Sequence, residues 1–120
     1  MAERLYVSDW DNDQLHSVPL TADNDDNEED SASWDVANQP AGLSFSLSGP
    51  PNVLVACHGA GKIQEWSPDG ILIRQIQLPD ELRLVWHAVP LADTEIVVSH
   101  EGSQHRVVVV STENGQVLHR

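Results

Sequence analysis

Short apolar runs separated by turn residues make up most of this chain. Apolar positions nowhere keep the 3.6-residue period of a helix, so the pattern predicts strands from end to end. Three runs resemble one another because each is rich in β-branched residues and ends in a small residue followed by a polar one: Arg4–Asp9, Asn52–Cys57 and Glu95–His100. An internal repeat of this kind predicts a fold built from copies of one unit.

Each copy of the repeat continues with a turn and further runs. The second runs are Gln14–Val18, Lys62–Trp66 and Arg106–Val110. Asp69-Gly70 and Asn114-Gly115 then mark tight hairpins, and the third runs are Ile71–Leu78 and Gln116–His119. One more run precedes each of the later copies, at Ala41–Leu47 and Leu84–Leu91. The unit therefore holds four strands, which we label a to d from the centre of the fold outwards.

The spacing of the units predicts the fold. Val53 and Ile96, which are equivalent positions, lie 43 residues apart, and four strands in about 43 residues is the period of a β-propeller blade. We therefore predict an all-β propeller fragment of three antiparallel blades, with a β-sandwich as the alternative. Residues 1–39 hold strands b to d of the first blade, with an acidic loop at 21–32. Residues 40–79 and 80–120 hold the second and third blades.

The predicted burial of the strands follows from this arrangement. Strand b of each unit, which is the first of the repeated runs given above, is apolar on both faces, as expected between two neighbouring blades. Strand d is more polar, as expected at the rim. Three blades cannot close a ring, because propellers have about four to eight. The fold is therefore completed by further blades of a longer protein or by a second copy, unless the chain is a truncated fragment without activity of its own.

Charge limits the partners. Nineteen acidic residues against six basic ones give a net charge of −13, which argues against nucleic acid and anionic membranes as partners. Eleven of the acids precede residue 36. Most of them crowd the loop at 21–32, which we interpret as a solvated segment that attracts basic surfaces. It lacks the central glycine of an EF-hand calcium loop.

Location is predicted from what the chain does not contain. It has one cysteine, no secretory signal pattern and no apolar run near the roughly 20 residues that a membrane-spanning helix needs. A single cysteine cannot form an internal disulfide, which favours a reducing environment. We therefore expect a cytoplasmic protein without a membrane segment.

The turns between strands b and c carry the candidate binding residues. These turns and the links between blades share one face of a propeller, and six residues are expected there as a protein-binding set: Trp10, Asp11, Asp13, His58, His100 and His105. Trp10 stands beside two acids, so we expect it to be exposed and to serve as a contact anchor. The histidines are predicted to lie on surface loops.

Metal binding and catalysis receive less support. A propeller zinc or calcium site needs three or four ligands converging from several blades, and the sequence predicts no metal, no cofactor and no catalytic residue. Cys57 ends a buried strand, where a thiol is inert. The other tryptophans (Trp34, Trp66 and Trp86) are predicted to pack between blades, and His87 to be a hydrogen-bonded core residue. A metal-dependent hydrolase or lyase, completed by further blades, remains the alternative.

One family shares part of this pattern. The segment from Arg4 to Asn12, in which an apolar strand ends in an aspartate-rich turn, resembles the NHL repeat, and Pro40 with Ala41–Ser44 resembles its start. The later copies depart from the motif at Cys57-His58-Gly59 and His100-Glu101-Gly102. Trp86–Leu91 with His105–Val110 is similar to NHL-like propellers of many invertebrate proteins. The resemblance implies a propeller, and with the charge it favours a non-enzymatic protein-binding or scaffold module.

Overall fold

The computed structural model describes residues 3–20, 31–47, 52–82, 84–101 and 107–119. The first sheet contains β1 (Glu3–Asp9), β2 (Gln14–Leu20) and β3 (Ala32–Asp35). The second contains β4 (Pro40–Phe45), β5 (Val53–Cys57), β6 (Lys62–Trp66) and β7 (Leu72–Gln77). The third contains β8 (His87–Ala92), β9 (Glu95–Ser99), β10 (Val107–Ser111) and β11 (Val117–His119). A single 3-10 turn spans Asp80–Leu82.

Each sheet is an antiparallel meander whose strands pair in chain order. We call the sheets blades 1, 2 and 3. The predicted strands agree with the observed ones to within two residues at most ends, and β6 matches its predicted range. The inner strand of blade 3 begins later than predicted, at His87 instead of Leu84. The 3-10 turn and a positive φ of 58° at Leu84 delay it.

Blade 2 separates two apolar cores. Leu54 and Ala56 of β5 belong to the core shared with blade 3, whereas Val53, Val55 and Cys57 belong to the core shared with blade 1. Successive side chains of a strand point to opposite faces, so one strand supplies both cores. All five residues of β5 are buried for this reason.

The terminal blades are buried on one face only, which corrects a prediction. The b strands were expected to be apolar and buried on both faces, but β9 alternates between buried and half-buried positions, and Leu5 and Val7 of β1 are 49% and 43% exposed. The reason is that blades 1 and 3 each have one neighbouring blade among the described residues. The expected polarity of the rim is confirmed in β7, where only Ile76 is buried.

Buried polar groups fix how blades 1 and 2 fit together. The Gln64 side-chain oxygen accepts hydrogen bonds from the Ala37 amide at 3.0 Å and the Trp66 indole at 3.3 Å, and its NH₂ group donates to Gln75 at 2.9 Å. Trp34 of blade 1 packs against Trp66 of blade 2, with ring centroids 6.0 Å apart. The prediction that these two tryptophans pack between blades is confirmed.

Within blade 2, a buried carboxylate is fully partnered. Glu65 is 3% exposed, and Arg74 donates to one of its oxygens at 2.7 Å while Asn52 donates to the other at 2.8 Å. A buried charge requires such partners, because an unpaired one would cost several kcal/mol (of the order of 3–5). In the part of the chain that the structure describes, no helix has the length and apolar character needed to cross a membrane.

Two glycines with positive φ offer a matched test of the blade junction. Gly115 (φ 74°) is packed so closely on blade 2 that a Cβ would clash with the Gln77 carbonyl, whereas Gly61 (φ 63°) has open space around it. Gly61→Ala should cost about 1 kcal/mol of unfolding free energy for the backbone alone, and Gly115→Ala about 3 kcal/mol or more. Urea unfolding measures both; equal losses would contradict the close approach of blades 2 and 3.

Candidate partner-binding face

Three aromatic side chains from three different blades meet on one face of the protein. Trp10 comes from the β1–β2 turn, His58 from the β5–β6 turn and Trp86 from the link into β8. The Trp10 and Trp86 rings stack with centroids 5.7 Å apart and an interplanar angle of 16°. The His58 ring lies 4.9 Å from Trp10 and 4.3 Å from Trp86. The expectation that these turns share a face is confirmed for blades 1 and 2.

Backbone hydrogen bonds hold this face together. The Asp13 carboxylate accepts a hydrogen bond from the Gln39 amide at 2.7 Å, and the Gln39 carbonyl accepts one from His58 at 2.9 Å. Between blades 2 and 3, Gly42 donates to the Trp86 carbonyl at 2.7 Å. The His58 and Trp86 backbones are therefore each tied to a neighbouring segment, and the β1–β2 turn that carries Trp10 is tied through Asp13 to the link that precedes β4.

Unusual backbone conformations gather at the same face. The non-glycine residues with positive φ among those described are Asp13 (53°), Gln39 (59°) and Leu84 (58°), and each lies in a turn or link on this side. Such conformations cost about 1 kcal/mol or more each and persist where the surroundings impose them. Asp13, Gln39 and Leu84 thus place local backbone strain at this face.

An open polar cleft borders the aromatic cluster. It has a volume of about 400 Å³ and is lined by Trp10, Asp11, Asp13, Asn38, Gln39 and Gly59. Asp11 is exposed and Asp13 half-buried. Two carboxylates and two amides form a surface that attracts a cationic, planar group, because carboxylates pair with guanidinium.

The His58 imidazole is buried at both nitrogens. Neither Nδ1 nor Nε2 has a hydrogen-bond partner among the described residues. A buried polar atom without a partner costs about 1–3 kcal/mol. The tilted contacts of the His58 ring with Trp10 and with Trp86 offset part of that cost, since aromatic pairs contribute about 0.5–1.5 kcal/mol.

Asp9 anchors the turn that carries Trp10. Its carboxylate accepts hydrogen bonds from the Asn12 side chain at 2.9 Å and the Asn12 amide at 3.3 Å, and it lies 3.0 Å from the His16 Nε2. The Asn12 side chain, followed by His16, holds the pKa of Asp9 below its ordinary value of 3.8. These contacts close the turn in which Trp10, Asp11 and Asp13 stand.

Two of the candidate residues lie where the prediction did not expect them. Trp10 is half-buried instead of exposed, because it stacks on Trp86. His100 is only 2% exposed, so the prediction of a surface-loop histidine is wrong. It follows Ile96 and Val98 at two-residue intervals, and this alternation directs its side chain to the face that packs on blade 2.

Other predictions have mixed outcomes. His105 and most of the acidic loop at 21–32 lie outside the described residues. His87 is hydrogen-bonded as expected, 3.0 Å from the Leu43 carbonyl, but it is exposed and not a core residue. Trp86 packs between blades as predicted, yet it stays 41% exposed. Trp86 therefore belongs to the candidate partner-binding face. Its position in the link before β8 was the sequence signal for this, because links between blades were expected on that face.

The remaining chemistry of the described residues is sparse. Cys57 is fully buried, and burial raises the pKa of its thiol to about 12. Within the ranges that the structure describes, no three His, Cys, Asp or Glu side chains come together as metal ligands would.

Solved structures share the arrangement of sheets. A glutaminyl cyclase of Myxococcus xanthus superposes with a TM-score of 0.62 at 18% identity, over 96% of this chain and 47% of that one. BBS1N in complex with ARL6DN, soaked with lead, gives 0.62 at 16% identity over 96% of this chain and 37% of that one. The crystal of the same complex soaked with mercury gives a TM-score of 0.61 at 15% identity, over 98% of this chain and 36% of that one. No protein-family model and no curated protein sequence matches the chain.

These comparisons show the fold. Both neighbours are propeller-like, and the three antiparallel sheets described here are consecutive blades of a partial β-propeller. The prediction of the fold class is confirmed. The chain spans less than half of the length of these neighbours. One neighbour is an enzyme and the other is held in a complex with a protein partner, so the shared fold is compatible with either kind of activity.

The hydrogen bonds to Asp9 predict a specific pH dependence. A carboxyl whose pKa is lowered by folding stabilises the protein above its unfolded pKa, and this contribution is lost as the pH falls through the folded pKa. The difference in unfolding free energy between the parent protein and Asp9→Asn should therefore shrink as the pH falls below about 4. Urea unfolding at several pH values measures it. The difference in unfolding free energy between the parent protein and Asn12→Ala, which lacks the main donor to Asp9, should shrink in the same pH range. A difference that widens on acidification would contradict the assignment.

Proposed function

We propose that this chain is a non-enzymatic, NHL-like propeller module that binds a protein partner through the face formed by Trp10, Asp11, Asp13, His58 and Trp86. The observation that carries the proposal is the cluster of three rings from three blades, beside a cleft with two carboxylates. Rigid aromatic side chains next to charged groups are typical of binding hot spots. His100 is left out of this set because it is buried, and His105 lies outside the described residues.

The chemistry of the cleft suggests the kind of partner. Asp11 and Asp13 supply negative charge, and the protein as a whole carries −13. Complementary charge speeds association and selects partners of opposite sign. We therefore propose a basic partner that places an arginine or lysine side chain in the cleft against Trp10. The acidic segment at 21–32 would add long-range attraction for the same partner.

A binding role fits the other groups better than catalysis does. A thiol with a pKa of about 12 is not a nucleophile near neutral pH. We place the protein in the cytoplasm, where a buried thiol stays reduced. The three repeated units at 1–39, 40–79 and 80–120 are proposed as the structural basis of this module.

The module is proposed to work as part of a larger or self-assembled propeller. The outer face of blade 1 exposes Leu5, Val7, Val18 and Leu20, and the outer face of blade 3 exposes Val89, Leu91 and Val107, each between 38% and 56%. In blade 2 the equivalent faces are covered by a neighbouring blade. Apolar surface of this kind favours a further blade on each side.

Variants of the candidate partner-binding face test the binding proposal. Peptides selected from a phage-displayed library on the 120-residue protein should be rich in Arg and Lys. Asp11→Asn and Trp86→Ser should each weaken the selected peptides about tenfold. We choose Asp11 and not Asp13, because Asp13 also accepts the Gln39 hydrogen bond that ties the β1–β2 turn to the link before β4.

Matched controls lie on the opposite face, in the β6–β7 turn. Asp69→Asn and Ile71→Ser change an exposed acid and an apolar residue that is 62% exposed, and they should leave the affinity unchanged. Equal loss with both pairs of variants, or selected peptides without basic residues, would contradict the assignment of this face.

Substitutions on the terminal faces test completion of the propeller. Native mass spectrometry of the 120-residue chain should show a dimer if two copies form a six-bladed ring. Val7→Lys and Val107→Lys, on the outer faces of blades 1 and 3, should convert it to monomer. Ile71→Lys, at a residue that is 62% exposed and lies on neither face, should not. A monomeric parent protein would contradict the ring of two copies and would leave completion by further blades of a larger propeller as the remaining proposal.

A further inference from the structure

A second cavity lies beside the polar cleft, between the β5–β6 turn and the link from β7 to β8. It has a volume of about 250 Å³, and the wall formed by the link includes Leu82 and Leu84. The Gln77 side chain and the Leu78 amide both donate to the Gly61 carbonyl, at 3.2 Å and 3.1 Å. These two hydrogen bonds hold the walls together. We call this cavity the Leu84 pocket.

The Leu84 pocket presents aliphatic side chains to solvent. Leu84 is 43% exposed, and Ala60 and Pro79 in the same pocket are half-buried. Asp80 adds an exposed carboxylate to the lining, which excludes an acidic side chain by like charge. The side chain that fits this lining best is therefore an apolar one, since burial against leucine, alanine and proline removes apolar surface from water.

The backbone of Leu84 has a conformation that its own burial does not explain. Its φ of 58° lies in the left-handed region, where leucine is an outlier. The residues around it are fixed, because Val85 is fully buried and the Trp86 amide donates to the Ser99 carbonyl at 2.9 Å. The Leu84 side chain itself stays exposed. Strained positions cluster at binding sites, and an apolar side chain held in solvent at such a position is suited to a contact with a partner.

One turn separates the Leu84 pocket from the polar cleft. Gly59 is exposed and lines both cavities. The paired strands of a hairpin lie about 5 Å apart, and residues on the same side of an extended peptide are about 7 Å apart. A short peptide that crosses the turn over Gly59 can therefore reach both cavities. The cleft with Asp11 and Asp13 takes a basic side chain, and the Leu84 pocket takes an apolar one.

We infer that the partner is recognised through a two-residue motif, in which an arginine or lysine enters the polar cleft and a large aliphatic side chain enters the Leu84 pocket. The two residues lie about two to four positions apart in an extended segment. This inference rests on the proposed function, because it names a second contact of the same partner on the same face. Charge selects the partner, and the buried aliphatic side chain adds affinity. Leu84 is thereby assigned as a specificity-determining residue.

Peptides selected from the phage-displayed library on the 120-residue protein test the motif directly. An alignment of their sequences should show Leu, Ile or Met at one fixed distance from the Arg or Lys. One such peptide is synthesised with a fluorescent label, and its affinity is measured by anisotropy. A second version, in which alanine replaces the aliphatic residue, should bind about tenfold more weakly.

A variant of the pocket separates binding from stability. Leu84→Asn removes the aliphatic side chain, and asparagine adopts a positive φ more readily than leucine does. The variant should bind the selected peptide about tenfold more weakly, while its thermal unfolding midpoint is no lower than that of the parent protein. The matched control is Ile71→Asn, at a residue that is 62% exposed in the β6–β7 turn. It should leave the affinity unchanged.

A double-mutant cycle identifies the contact. When the alanine peptide is measured against Leu84→Asn, the combined loss should stay near tenfold, because both changes remove the same contact. Against Asp11→Asn the alanine peptide should lose about a hundredfold, because the two cavities bind different side chains and independent losses multiply.

The outcomes distinguish this inference from the proposed function. Basic peptides without an aliphatic residue at a fixed distance, or with a second basic residue there, would overturn the Leu84 pocket and leave the proposed function standing. An unchanged affinity of Leu84→Asn, or losses that multiply in its cycle, would do the same. Aliphatic peptides without a basic residue that still lose affinity with Leu84→Asn would support the pocket and contradict the basic partner. Selection of no peptide at all would overturn both.

Discussion

Burial between neighbouring blades is the constraint on which the structure depends. A four-stranded antiparallel sheet has two faces and cannot cover either of them by itself. Here the alternate side chains of β5 divide between two cores, one shared with blade 1 and one with blade 3. Burial of apolar surface drives the packing of the blades. The hydrogen bonds of Gln64 and the close approach at Gly115 fix the relative position of neighbouring blades. The two outer faces remain apolar because the same repeat that makes blade 2 also makes its neighbours.

The partner-binding face, formed by Trp10, Asp11, Asp13, His58 and Trp86, is a consequence of this packing. Side-by-side blades bring their turns to one end, and so Trp10, His58 and Trp86 meet although they are far apart in sequence. The backbone there is held by hydrogen bonds between neighbouring segments, including that from Gly42 of blade 2 to Trp86 in the link into blade 3. A binding surface formed in this way is preorganised, which reduces the entropy that a partner must offset on binding.

Much of the fold could be predicted from the sequence, because a repeat of apolar runs specifies strands, their order and the class. The Lys62–Trp66 strand and the hairpin at Asp69-Gly70 were located by local pattern alone. The site was harder to predict, because it depends on contacts between repeats. His100 follows the alternation of β9 into a core, and Trp10 is covered by a ring that lies 76 residues further along the chain. Neither outcome follows from composition or turn preference.

The two-sided role of β5 has a consequence for how the protein loses its structure. Without a further blade on either outer face, blades 1 and 3 are each stabilised by contacts with one neighbour, and blade 2 by contacts with two. Blade 1 or blade 3 can therefore open while the other junction stays intact, but blade 2 cannot open without dissolving both cores. Fraying from the ends inwards is the expected order, and the middle of the chain is the last part to become accessible to proteases.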